Sequence, residues 1–236
     1  MVLEVKSVNT FYDDFQALYD VDISVESGSL VAMFGPNGHG KSTLLQTICG
    51  LIKPKSGTVT YKGIELTELT TTEIVSLGVV YIAEDRHLFP EMSVFENLRM
   101  GAFNKKSRPY EEDNMAYVFE LFPKLKLLRK KAASTLSGGE ARMLAIGRGL
   151  MSHADFLAVD EPSLGLAPNL RMEVFEKINQ IRKAGRSVLI VEQSTSHIAD
   201  MADYIYLLED GEIVEHAKSI DDITDESVKR VFLGIT

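Results

Sequence analysis

Apolar positions along the chain follow two rhythms. LEVKSVNTFY (3–12) and YDVDISVESG (19–28) alternate apolar and polar residues as strands do. SLVAMFG (29–35) is almost continuously apolar from Leu30 to Phe34, as in a strand covered on both faces. KSTLLQTICGL then has helical spacing and ends on Gly50. KPKSGTVTYKG leads through a turn into a strand, TTTEIVSLG is a short helix with a capping pattern, and VVYIA is a second buried strand. From about 85 to 150 the pattern is helical only, in SVFENLRMGAF, MAYVFELF and the run after SGGE. The alternation then resumes: strand ADFLAVDE, helix NLRMEVFEKINQIRKAG, strand SVLIVE, helix TSHIADMAD (195–203), hairpin YIYLLEDGEIVEH and a helical tail DESVKRVFLG (225–234). Strands alternating with helices predict an α/β fold with a mainly parallel sheet covered on both faces, here carrying a helical insertion.

Composition narrows the class. Of 236 residues 45% are apolar, enough for a real core in one large domain with an insertion. The formal charge of −9 disfavours nonspecific binding to nucleic acid or anionic lipid. Basic residues crowd between Lys105 and Lys131; a solvated face of the insertion accounts for them more simply than contact with a membrane partner or headgroups. The single cysteine, Cys49, reads as a small buried hydrophobe in a reducing compartment. No apolar run reaches bilayer length, and MVLEVKSVNT lacks the charged start and apolar block of a signal peptide, so membrane attachment is expected only through other chains.

Two stretches carry chemistry. GPNGHGKST, residues 35–43, places Gly35, four residues, then Gly40, Lys41 and Ser42 between a buried strand and a helix, which is a P-loop in its proper context. Backbone N–H groups of Gly35, Pro36 to Gly40 (Pro36 itself excepted) and Thr43 are expected to wrap phosphate oxygens at the helix start. Asn37 and Gly38 belong to the same cradle, and His39 is a tolerated loop side chain. Lys41 is expected on the β and γ phosphates and Ser42 on Mg²⁺. FLAVDEP, residues 156–162, is an apolar strand ending in Asp160 and Glu161. Asp160 is placed to anchor Mg²⁺, and Glu161 to accept a proton from water attacking the γ phosphate.

With GPNGHGKST, LSGGE (136–140) and AVDEP in this order, the chain resembles an ABC transporter ATPase subunit over essentially its whole length. The resemblance implies a single nucleotide-binding domain over 1–236: a P-loop ATPase core with an antiparallel β subdomain and an inserted helical subdomain. It implies two such domains packed head to tail, so that Ser137, Gly138 and Gly139 reach ATP held by a partner's P-loop. Tyr12 resembles the family's adenine-stacking aromatic, with Phe11 and Phe15 as rivals, and SLGL (163–166) resembles the loop that meets the partner domain. Glu84 stands where a Gln is usual and Gln193 where a His is usual. Together with MLAIGRGLM and EPSLGLAP, both resemble the branched-chain amino-acid importer ATPases. Glu84 is then a further Mg²⁺ ligand and Gln193 an amide donor to the γ phosphate. Ala141 and Arg142 replace frequent Gln residues, and no role follows from them.

The implied partners are a second ATPase subunit, two permease subunits and, indirectly, a solute-binding protein, at the cytoplasmic face of the membrane. Nucleic acid is not expected, and Arg86 to Met100 is the expected permease contact. Urea, amide or other amino-acid import is the nearest alternative, with lipid export or a soluble ATPase role further off.

Overall fold

The continuous apolar runs become strands that are buried from end to end. In the computed structural model, which describes residues 1–193 and 198–224, the chain runs β1 (Leu3–Tyr12), β2 (Phe15–Val25), β3 (Leu30–Phe34), α1 (Lys41–Ile48), β4 (Ser56–Tyr61), β5 (Ile64–Glu65), α2 (Thr71–Leu77) and β6 (Val79–Ile82). The helical stretch follows as α3 (Val94–Gly101), α4 (Glu111–Leu121), α5 (Pro123–Leu127) and α6 (Gly138–Leu150). The chain closes with β7 (Phe156–Asp160), α7 (Pro168–Lys183), β8 (Ser187–Glu192), β9 (Tyr204–Glu209) and β10 (Glu212–Ala217). The expected tail helix at 225–234 lies outside the described residues, as does part of the expected helix at 195–203. Of the latter, a short 3₁₀ turn at Ala199–Met201 is described.

Two sheets form. One is antiparallel, in the order β2-β1-β4-β5. The other has the order β10-β9-β3-β8-β7-β6 and is parallel apart from the β9–β10 hairpin at its edge. Every residue of β3, β7 and β8 is buried, which is why these strands lack polar alternation. The pleat of β3 divides the core. Leu30, Ala32 and Phe34 join the cluster built with α3, α4, α6 and α7, whereas Val31 and Met33 join the cluster that includes α1 and the antiparallel sheet.

Register places the chemistry. Phe34 of β3 pairs with Glu192 of β8, and Val191 of β8 pairs with Asp160 of β7. The P-loop, the carboxylate pair and the Glu192–Gln193 step therefore leave the sheet side by side at the carboxyl ends of its strands, where ligands of open α/β sheets bind.

Three helices start with a complete capping box: Thr70 with Glu73, Ser93 with Glu96, and Ser137 with Glu140. Between 85 and 150 the only described β interaction is an isolated bridge, Ser93 to Ala132. Helix α3 crosses α6 closely, and Gly101 permits it: a Cβ there would collide with the backbone carbonyl of Arg148 and lie 2.8 Å from Met151 Cβ. Gly101→Ala is therefore expected to destabilise the fold by about 1–3 kcal/mol through overpacking. Denaturant titration should show a lower midpoint; an unchanged midpoint would mean that α3 shifts without cost.

Candidate functional site

The P-loop closes on Lys41. Gly40 sits at φ +101° before α1, and a Cβ there would lie 2.9 Å from Ala17 O and from Leu18 Cδ2, so only glycine fits. This turn folds the Lys41 side chain back under the loop. Its Nζ donates to the carbonyls of Gly35 (2.8 Å) and Pro36 (3.0 Å) and lies 3.2 Å from Glu161 Oε1. Both charged side chains are nearly buried, at 5% and 6% exposure. A cavity of about 350 Å³ opens above them, lined by Asn37, Gly38, Gly40, Lys41, Ser42, Thr43, Glu84, Glu161 and Leu164. The side chain of His39 turns elsewhere: Nδ1 accepts from the Asp210 N–H at 2.9 Å, and the His39 carbonyl accepts from Gly211 at 3.1 Å. The loop is thereby tied to the β9–β10 turn.

The carboxylates are held individually. Asp160 Oδ1 accepts from Ser42 Oγ at 3.0 Å and Oδ2 from the Tyr81 hydroxyl at 2.6 Å. Burial raises the Asp160 pKa, and these two hydrogen bonds oppose the rise. Glu161 has φ +42°, uncommon for a residue with a side chain, and its carboxylate Oε2 accepts the Gln193 backbone N–H at 3.1 Å. Its Oε1, although beside Lys41, accepts no hydrogen bond. Glu192, buried at the end of β8, accepts from the Ser163 N–H and hydroxyl, both at 2.9 Å. Burial first, then the charge of Glu161, pushes its pKa up to about 8.

The donors present suit Mg²⁺. Among the described residues no cluster of three or more His, Cys, Asp or Glu side chains forms a metal cage. Ser42 and Asp160 instead offer two adjacent oxygens, the partial set that Mg²⁺ takes when phosphates and water complete its shell. Glu84 is exposed on the cavity wall, and its pKa is raised by partial burial and by Asp160, Asp85 and Glu161. Glu84, Asp160 and Glu161 share this end of the sheet with Lys41, Arg142 and Arg86, while Glu192, its pKa pushed up to about 8, is mostly protonated at neutral pH; the fit to a divalent cation therefore rests on the Ser42 and Asp160 oxygens.

Other expected residues stand apart from this cavity. Ser137 and Gly138 are exposed and Gly139 is buried at the start of α6, and none of the three lines the P-loop cavity. Tyr12, half exposed, reaches α1 through its hydroxyl, 3.3 Å from Thr43 Oγ1 and 3.4 Å from Gln46 Oε1. Of its rivals, Phe11 carries Lys55 over its ring at 4.4 Å and Phe15 is largely exposed. Gln193 meets Glu161 through its main chain, and its side chain is exposed.

Sequence reading missed Tyr81, Glu192 and Arg142. Glu192 is a charge closing an otherwise apolar strand, the same signal that drew attention to Asp160. Arg142 sits in α6, a helix buried nearly all round between Gly139 and Leu150, where a charged residue is out of pattern.

Comparison with known proteins agrees with this geometry. Residues 18–164 match the family described as ABC transporter. The high-affinity branched-chain amino acid transport ATP-binding protein BraG of Pseudomonas aeruginosa is 42% identical over 233 residues, covering 99% of this chain and 100% of that protein. The probable branched-chain amino acid transport ATP-binding protein LivF of Archaeoglobus fulgidus is 32% identical, with 99% of each chain covered. A solved structure, the ADP conformation of an ATP-binding cassette of an ABC transporter, superposes with a TM-score of 0.80 at 30% identity, covering 98% of this chain and 94% of that one. A P-loop closed on its lysine, paired acids at the neighbouring strand end and relatives that span nearly the whole chain lead to one assignment: this protein belongs to the ABC transporter family and is one of its ATP-binding, ATP-hydrolysing proteins.

Proposed function

We propose that this chain is the energy-coupling subunit of an importer for branched-chain amino acids, acting as one nucleotide-binding domain over 1–236 in a head-to-tail ATPase pair beneath two permease subunits. The observation that carries the pairing is the division of the site. The P-loop cavity holds the lysine, the base and the metal-binding oxygens, while the anion-ready start of α6 lies exposed and outside its wall. Ser137, Gly138 and Gly139 then serve a nucleotide on the partner. The amino-acid substrate class rests on the relatives' names. A cavity of about 470 Å³ lined by Ala83, Arg86, His87, Phe89, Met100 and Arg148, among others, supports Arg86 to Met100 as the permease contact. No helix among the described residues is long and apolar enough to cross a membrane, so this contact would hold the chain at the cytoplasmic face.

In this reading Tyr12 stacks on adenine and the backbone from Gly35 to Thr43 cradles the phosphates. Lys41 moves its ammonium from Glu161 to the phosphate oxygens, which frees Glu161 Oε1 to accept a proton from the attacking water. Ser42, Asp160 and Glu84 hold Mg²⁺, which when bound neutralises phosphate charge. Gln193 orients Glu161 through its N–H and offers its side-chain amide to the γ phosphate. Co-purification with permease subunits and uptake of labelled leucine in proteoliposomes tests the assignment; ATP-dependent uptake of urea or another solute instead would overturn the substrate class.

Glu161→Gln is expected to retain ATP binding, lower turnover by about 10²–10⁴ and let an ATP-bound pair accumulate, read by phosphate release and size exclusion. Gln193→Ala leaves the backbone N–H on Glu161, so it is expected to slow hydrolysis much less than Glu161→Gln; equal losses would assign the chemistry to the amide side chain. Glu192 makes stability depend on pH. Its folded-state pKa lies above the ordinary carboxylate value, so its contribution is complete below about pH 4.5 and is lost as pH rises through about 8. Glu192→Gln should flatten the fall of the thermal midpoint across that window, and an unchanged slope would locate the proton elsewhere.

A further inference from the structure

Among the described residues Arg142 is the largest fully buried side chain, 1% exposed, and nothing in the proposed chemistry uses it. Its guanidinium ends on backbone carbonyls: NH1 donates to Ala83 at 3.1 Å, and NH2 donates to Glu84 at 2.9 Å and to Glu161 at 3.2 Å. Two separate walls of the ATP cavity, the Glu84 loop and the main chain of the base, are thus tied to one side chain of α6. Burial and the nearby Arg86 lower its pKa to about 10, which leaves it charged at neutrality, and Glu192, Glu84 and Asp160 favour the cation. A buried guanidinium is costly to desolvate, and an apolar residue would fill the space more cheaply. What the arginine adds is reach: a planar fork can hold carbonyls from two chain segments at once, which a lysine ammonium cannot do with the same geometry.

A second arginine completes the attachment. Arg148 donates to the carbonyls of Arg86 at 2.9 Å and His87 at 2.6 Å. Arg86 and His87 both have positive φ, +62° and +44°, a strained pair whose carbonyls the guanidinium captures. The loop from residue 83 to 87 is therefore fastened to α6 at two points, and Arg142 alone also reaches Glu161. Arg142 lies three to five positions after Gly139, Gly138 and Ser137, about one turn into α6.

We infer that Arg142 is a positioning residue that links the Glu84 loop and the Glu161 main chain to the start of α6, so that nucleotide in the P-loop cavity is registered at residues 137–139. The inference rests on the reading of that cavity as the ATP site. A rearrangement of the loop or of Glu161 on nucleotide binding moves the helix start with it, because the fork ties both segments to α6.

Peptide-resolved hydrogen exchange tests this on the native chain, Arg142→Met and Arg142→Lys, with and without a non-hydrolysable ATP analogue and Mg²⁺, at a concentration where size exclusion shows monomer. In the native chain the analogue is expected to alter exchange in 35–43, in 83–87 and in 136–141. In Arg142→Met the response of 35–43 should persist within about twofold while that of 136–141 disappears, and kcat should fall about tenfold or more with the ATP KM within about twofold. Arg142→Lys, with charge but no fork, should restore folding stability without restoring the 136–141 response, which guards against reading a misfolded Met variant as a loss of linkage. A merely structural arginine would raise exchange with and without nucleotide and leave the difference intact. That result, or a native chain whose 136–141 segment ignores nucleotide, overturns the inference. A native chain with no response at 35–43 overturns the ATP-site reading itself.

Discussion

The buried ion pair of Lys41 and Glu161 is the contact on which the site depends. Two opposite charges almost removed from water are tolerable only when geometry and further hydrogen bonds offset their desolvation. The Gly35 and Pro36 carbonyls satisfy the ammonium, and the Gln193 N–H satisfies one carboxylate oxygen. The two carbonyls follow β3, the N–H follows β8 and Glu161 itself follows β7. They meet because β3, β8 and β7 are neighbours whose ends are in register. The sheet order is thus a condition for the chemistry: exchanging two of these strands would leave one charge buried without its partner.

Much of this was legible in the sequence because the signals were local. An apolar run followed by Gly35 to Thr43 can scarcely do anything except end a buried strand and start a helix on a phosphate loop. The capping boxes at Thr70, Ser93 and Ser137 were written within four residues each. What escaped was non-local. Glu192 matters because Ser163 and Glu161 surround it, and these lie about thirty positions earlier in the chain. Arg142 matters because of carbonyls from residues 83, 84 and 161. No window of sequence around either residue contains its partners. The antiparallel pairing of β1 with both β2 and β4 is likewise a matter of tertiary register, and the two-residue strand β5 is too short to pattern.

Helix α6 joins the two scales. Its first turn is shaped by a local rule, Ser137 accepting from the Glu140 N–H and Glu140 reaching back to Ser137. Its body is glycine-rich where other helices press on it: a Cβ at Gly147 would lie 2.9 Å from Val118 and 3.1 Å from Leu98. Glycine where other helices press, and two arginines that reach the carbonyls of residues 83–87, let the same helix pack tightly and hold a loop.

Cys49 follows α1 and is buried, and the loss of solvent around it pushes its thiol up to about 12. At neutral pH it carries almost no thiolate, the form that reacts. For site-specific labelling the native cysteine is therefore expected to react slowly. A cysteine introduced at a fully presented surface position such as Leu127, 82% exposed, would carry a maleimide dye or spin label at a single address. Distances between the helical stretch and the sheet could then be followed with the buried native cysteine left in place.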